Sequence, residues 1–352
     1  MAKVSGQRVS LTLRGRARAG LGTLVAANVV NLMTCAAEVG GVALIWQLLS
    51  DWPYRLLIVI AFAFLAVAVW ILPFKWIERV FGLGGLLMVV FIVLAIAEQP
   101  AWADVLQGFV PTLRPMPESD DVRLYSYYAV AFFSSVLLPY ETYFYAAGGI
   151  EDKWTRSDIN LNRVIVIAGF VLGCLLSLAL VAVGAQYLAP RHIEPQNPGV
   201  AAISAAMQFG KAGLFIALLG MFFAFAGAAI ETGLSGAYNL AHFLGWPWGK
   251  FRKPREAARF TLSWIAMFAL ATVVVLTGVD PVQIVEYSIV FSVIILPFTY
   301  FPLLVIAGDR HVMGDARNGP LANALGWLFL ILVTIAALSA IPLLIMTHGG
   351  RG

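Results

Sequence analysis

Apolar positions in this chain run in long stretches separated by short polar segments. A membrane span needs about 20 apolar residues, and about nine stretches meet that length. They are 21–49, 55–73, 77–97, 124–148, 163–188, 200–242, 259–277, 282–307 and 321–346. The sixth is too long for one straight helix. Its start, or its end near His242, must lie outside the hydrocarbon or break. The fourth is interrupted by Pro139, Tyr140 and Glu141. Proline removes a backbone donor and clashes with the preceding turn, so a helix there should kink or break. A carboxylate at the centre of a span costs about 2.5–3.5 kcal/mol on insertion scales. A broken helix with a buried acid is one way transporters build a site near the bilayer midplane. The same residues also fit a kinked helix whose glutamate pairs with a neighbour and only holds a bundle together.

Composition agrees with a membrane protein. The chain of 352 residues is 61% hydrophobic and 12% charged, with mean hydropathy +0.86. A soluble core of this size needs far less apolar surface. Residues 1–20 read as a basic cytoplasmic segment, 21–346 as one transmembrane domain and 347–352 as an external tail. The opening lacks the order of a signal peptide. The loop 98–122 holds Glu98, Asp104, Glu118, Asp120 and Asp121 among prolines and is expected to be irregular. Cys35 and Cys174 both fall in apolar stretches, which excludes a disulfide framework and predicts two buried small hydrophobes.

A pI near 9.1 could suggest nucleic acid, but the placement of the basic residues argues against it. Lys3, Arg8, Arg14, Arg16, Arg18, Lys75, Arg79, Lys153, Arg156, Arg163, Lys250, Arg252, Lys253, Arg255, Arg259, Arg310 and Arg317 fall on one side of the alternation, 17 in all. Only 6, Arg55, Arg114, Arg123, Arg191, Lys211 and Arg351, fall on the other. The positive-inside rule then places the N-terminus in the cytoplasm and the C-terminus outside. A plasma membrane follows, with a bacterial inner membrane as the expected setting.

Asn28, Asn31 and Glu38 lie in the first span, and Asn31 and Glu38 share a helical face. Glu231 lies among small residues that let helices approach closely. Glu286 follows Asp280-Pro281 and is placed at the membrane edge. Glu38, Glu141 and Glu231 are therefore the acids expected to be buried, a set that suits a cation or proton pathway. Each alone could equally make an interhelical hydrogen bond. An enzyme is not expected: there is no clustered His, Cys–His or Ser–His pattern, and His192, His311 and His348 read as loop residues.

Several segments together resemble the natural resistance-associated macrophage protein (NRAMP) family of proton-coupled divalent metal transporters. They are AAEVGGVALIWQLL at 36–49, KWIERVFG at 75–82, LPYETYFY at 138–145, DPVQ at 280–283, LPFTYFPLL at 296–304 and DRHVMG at 309–314. The resemblance implies an all-α polytopic fold of the LeuT-like inverted-repeat type, with the nine spans as family helices three to eleven. It also implies that the family's first helix, with its metal-binding Asp-Pro-Gly-Asn, is not in this sequence. A truncated chain, or a start called too late, is expected, and a short paralogue needing a partner chain is the alternative. Such a chain is not expected to transport alone.

By the same resemblance the family's metal-binding methionine falls on Leu138, its histidine on Tyr140, its asparagine on Glu141 and its carbonyl ligand on Ser135. Its proton-pathway aspartate falls on Cys35 while the glutamate matches Glu38, and a tenth-helix glutamine falls on Ile295. Lys153 and Arg259 are the basic residues nearest the family's proton-route positions, and Glu231 joins them as a gating candidate. The site has lost a soft ligand and gained a hard one, which leaves manganese, iron and magnesium open as the transported ion and implies no cofactor. Two other classes remain: a LeuT-fold carrier of an organic solute such as an amino acid, with Tyr140, Tyr143 and Tyr145 lining the pocket, or a membrane subunit without transport.

Overall fold

Helices begin and end where the apolar stretches do. In the computed structural model, residues 17–99, 102–108, 122–135, 138–155, 157–193 and 197–349 are described. The basic segment 1–16, most of the acidic loop and the last three residues lie outside them. In chain order the helices are α1 (Ala17–Ser50), α2 (Tyr54–Ile71), α3 (Phe74–Gly85), α4 (Val89–Ala97), α5 (Trp102–Gln107), α6 (Val122–Ser135) and α7 (Pro139–Glu151). There follow α8 (Asp158–Val183), α9 (Pro198–Leu244), α10 (Ala258–Leu276), α11 (Pro281–Gly308), α12 (Arg310–Met313) and α13 (Pro320–Met346). Among the described residues there is no strand. A 3₁₀ turn at Leu86–Met88 joins α3 to α4 into one span.

Among the described residues, eight helical segments are long and apolar enough to cross a membrane. They match eight of the nine expected stretches; the ninth, 124–148, is divided between α6 and α7, each too short to count alone. The overlong sixth stretch breaks as expected, at Gly210 with φ 64° and ψ −153°. Only glycine adopts such angles without strain.

The chain divides into two compact units whose boundaries fall inside α1 and α9. One comprises residues 38–116 and 156–229. Its core packs Phe91 and Leu94 of α4 against Ala179 and Val183 of α8, with Ala217, Leu218 and Met221 of α9. A Cβ at Gly220 would lie 2.8 Å from the backbone nitrogen of Met88, so only glycine allows α9 this close. The other unit comprises residues 1–37, 117–155 and 230–352. There Tyr127 of α6 packs with Val290 and Val293 of α11 and Ala336 and Ala340 of α13. Phe268 of α10 fills the place that a Cβ on Gly233 would need, 2.7 Å away.

Three expectations need correction. Cys174 is exposed, not buried. Only 6% of the most apolar window of α8 is covered by protein, and hydropathy cannot tell a face turned to lipid from one turned to a neighbour. The acidic loop is not wholly irregular, because Trp102–Gln107 forms α5. His311 lies in the short helix α12, where its backbone N–H donates to the Asp309 carboxylate at 2.7 Å.

Candidate functional site

The broken helix follows from one residue. Pro139 has no N–H, so it cannot donate to the carbonyl of Ser135 four positions earlier. Pro139 also pushes its predecessor out of the helical region: Leu138 is extended, with φ −92° and ψ 142°. The chain then restarts with Leu138 as N-cap, Pro139 at the first helical position and Glu141 at the third. That order favours a helix start twice over. Proline suits the first position because its missing donor would be unpaired there anyway. A glutamate at the third can reach back to the N-cap N–H, and the Glu141 carboxylate does accept from the backbone N–H of Leu138.

The break leaves two helix ends of opposite character. The end of α6 offers carbonyl oxygens and the negative end of its dipole, which favours a cation; the start of α7 offers N–H groups and the positive end. Glu141 offsets that positive end. Ser135 closes α6 with its hydroxyl donating to the Phe132 carbonyl at 2.8 Å, and its main-chain oxygen lacks the helical donor that Pro139 cannot supply. Leu138 is half-buried and Tyr140 nearly fully buried at 4% exposure, so the tyrosine serves as packing at the first turn.

Glu231, on α9, lies within electrostatic reach of Glu141. Two carboxylates in a low-dielectric site repel each other, and a cation between them removes that repulsion. The α9 face that carries Glu231 continues one turn on to Ser235. The Ser235 hydroxyl donates to the Tyr140 carbonyl at 3.2 Å and accepts from the Asn31 amide of α1 at 3.5 Å. Further along α7, the Tyr143 hydroxyl meets the Thr299 hydroxyl of α11 at 3.0 Å. At the last turn, Glu151 accepts the backbone N–H of Lys250 at 2.5 Å. So α7 is tied to α1, α9 and α11 and to the segment before α10, all within one compact unit.

The other expected residues lie elsewhere. Glu38 is half-buried on α1, in the part of that helix assigned to the other unit. Cys35 is fully buried. Lys153 follows the end of α7, exposed and with φ 56°. Arg259 is exposed near the start of α10, its guanidinium 5.5 Å from the centre of the Trp246 ring. Neither basic side chain joins the carboxylates at the break. Ile295 is 9% exposed and apolar where the resemblance expects an amide. Among the described residues no three His, Cys, Asp or Glu side chains gather into a metal cluster. A cation here would be held by carboxylate and neutral oxygens together.

Ser235 and the link through Asn31 were not anticipated as a unit. The partners are 204 positions apart, and a lone serine among small residues carries no signal of its own. Asn31 was visible as a polar residue on an apolar span, which was the only available clue.

Comparisons with known proteins bear on this arrangement. The chain is 27% identical over 323 residues to the divalent metal cation transporter MntH of Deinococcus radiodurans, covering 88% of this chain and 69% of that protein. It is 27% identical over 274 residues to MntH of Aeromonas hydrophila, covering 72% and 60%. The chain thus spans about two thirds of the length of these curated relatives. Crystal structures of variants of the Eremococcus coleocola manganese transporter superpose with TM-scores of 0.68 and 0.69 at 18% and 19% identity, covering 96% of this chain and 74% of theirs. That likeness shows a shared fold, the LeuT-like arrangement of helices. The family model described as natural resistance-associated macrophage protein-like matches residues 4–342, and the chain belongs to that family.

Proposed function

We propose that this chain binds a divalent metal cation at the break between α6 and α7 and takes part in carrying it across a membrane. The observation that carries the reading is the pairing of a main-chain oxygen that Pro139 deprives of its helical donor with a carboxylate three residues past the break. The names of the curated relatives support the substrate class. Glu141 is the charged ligand, the Ser135 carbonyl a neutral one, and Glu231 a second negative charge within reach. Leu138 presents only methyl groups, so the site favours hard ions of the magnesium and manganese class over soft ones.

Proton coupling is a finer part of the proposal. Glu38 and Glu231 are its acidic members, and Lys153 and Arg259 gate its cytoplasmic side. The Lys and Arg asymmetry supports a cytoplasmic N-terminus in a bacterial inner membrane. Cysteines placed by Ser119→Cys and Arg252→Cys test the orientation with an impermeant thiol reagent. The first should label from outside and the second should not; the reverse would overturn the topology.

The test of the site is metal binding to the purified chain, followed by calorimetry with magnesium and manganese. Glu141→Gln keeps size and removes charge, and should abolish binding. Glu286→Gln, in the second turn of α11, should leave it unchanged. If the two variants bind alike, the cation does not sit at Glu141.

A further inference from the structure

The link between α1, α9 and α7 has a fixed direction. A carbonyl can only accept, so at Tyr140 the Ser235 hydroxyl must be the donor. With its one proton used, Ser235 can only accept from Asn31, so the Asn31 amide turns its nitrogen to the serine. Asn31 and Ser235 are each 0% exposed, and Tyr140 is 4% exposed. The chain of donors ends on the residue next to Glu141. It therefore fixes the first turn of α7 at the point where the cation reading needs it fixed.

The same logic leaves one atom over. With the nitrogen committed, the Asn31 Oδ1 faces the other way and has no hydrogen-bond partner although it is fully buried. A buried acceptor without a donor is disfavoured strongly enough that native proteins rarely leave one. This oxygen belongs to the same amide as the nitrogen that touches Ser235, whose hydroxyl reaches the first turn of α7. A neutral amide oxygen is a hard acceptor. Small hard cations give up their water reluctantly and enter sites with part of their hydration shell. A metal-bound water is a strong donor that such an oxygen can take.

We propose that Asn31 is a working residue of the cation site, acting in two ways. Its amide nitrogen, through Ser235, is a positioning group for the first turn of α7. Its amide oxygen accepts a hydrogen from a water that the hydrated cation carries in. This rests on the reading of Glu141 as the cation's charged ligand, and the experiment keeps the two apart.

Three variants separate the roles in the 352-residue chain held in lipid nanodiscs. Ser235→Ala removes the relay and leaves the amide oxygen. Asn31→Leu, close in shape, removes both. Asn31→Asp keeps oxygens but cannot donate, so the Ser235 proton turns to the aspartate and away from Tyr140. Hydrogen–deuterium exchange of the first turn of α7, without metal, reads positioning alone. It should quicken in all three variants, and wild-type exchange in all three would overturn the relay. Calorimetry with magnesium reads the site. Ser235→Ala should weaken binding about two- to tenfold, the worth of one hydrogen bond. Asn31→Leu should weaken it several-fold further, and Asn31→Asp less than Asn31→Leu. Equal losses in Ser235→Ala and Asn31→Leu would remove the oxygen's role. Unchanged binding in Glu141→Gln would instead overturn the cation reading, while the exchange data would still decide the relay.

Discussion

Prolines fall within membrane spans of one compact unit with opposite results. At Pro139 the span ends and restarts as α6 and α7. At Pro297 and Pro302 the helix α11 runs on unbroken from Pro281 to Gly308. Each proline removes one backbone donor, so loss of the donor cannot be what decides. The difference lies in what surrounds the ring. After Pro139 comes Glu141, placed to receive the N–H of Leu138 and start a new helix. Three residues past Leu296 and Phe301, the residues before the other prolines, stand Thr299 and Leu304. The Thr299 hydroxyl turns back to its own helix, to the Ile295 carbonyl at 3.4 Å. At Pro139 the acid that follows supports a new helix start; at Pro297 and Pro302, where a hydroxyl or an apolar residue stands in its place, the helix continues.

The comparison is broken most severely by neutralising the acid. Glu141→Gln should cost about 2–5 kcal/mol of cation binding, the usual loss when one partner of a buried charge pair is deleted. No single change of comparable size in α11 should approach this. Next comes the proline itself. Pro139→Ala supplies an N–H to Ser135 and restores a residue worth about 3 kcal/mol more in a helix interior. The span should tend to close over the break, and magnesium binding should weaken about tenfold, near 1.4 kcal/mol. Pro297→Ala should leave binding at the wild-type level. Calorimetry on both variants checks this, and loss of binding in Pro297→Ala alone would place the site in α11.

How much of this could be read from the sequence depends on the range of the interaction. The nine apolar stretches fell within a few residues of the helices because hydropathy is a local property and lipid enforces it. The break at Pro139 was legible for the same reason: one residue and its predecessor decide it. The break at Gly210 showed only as a stretch too long for its membrane, since one glycine among 32 in the chain does not announce a positive φ. Cys174 was misjudged because α8 from Val164 to Val183 carries a single polar side chain, Ser177, and so nearly uniform a pattern does not mark an inside. The link from Asn31 through Ser235 to Tyr140 could not be found, because α1, α7 and α9 meet only in the folded chain.

Selectivity sharpens the comparison further. Leu138 stands at the break, half-buried, as N-cap of α7. A thioether there would add one soft ligand without disturbing the helix start, since leucine and methionine are close in volume. Leu138→Met should raise the preference for cadmium over magnesium about tenfold, near 1.4 kcal/mol. The readout is competitive binding of the two ions to each version. An unchanged ratio would mean that position 138 does not face the ion.

The smallest effect concerns the other end of α7, where Glu151 stands in the last turn as Glu141 stands in the first. Burial pushes the Glu151 carboxyl above its ordinary value of 4.5. The N–H of Lys250 and the facing Tyr238 hydroxyl pull it back only in part, and the charge of Asp152 pushes it up further. The negative end of the helix dipole acts in the same upward sense. Lys250 is itself half-buried, and that burial lowers its ammonium value. A carboxyl held above its unfolded value favours the protonated form in the folded state. Its contribution is complete below the unfolded value and is lost as pH rises through the folded one. The chain should therefore become less stable as pH climbs past 4.5, by an amount that Glu151→Gln removes. Glutamine keeps an oxygen for the Lys250 N–H and cannot ionise. Melting temperatures from pH 4 to 8, in nanodiscs and without metal, should fall more steeply for the wild type than for Glu151→Gln. On the proposed site, cation affinity at pH 7 should be the same in both, because Glu151 stands ten positions from Glu141 at the other end of α7. Parallel melting curves would show that Glu151 titrates as an ordinary surface acid.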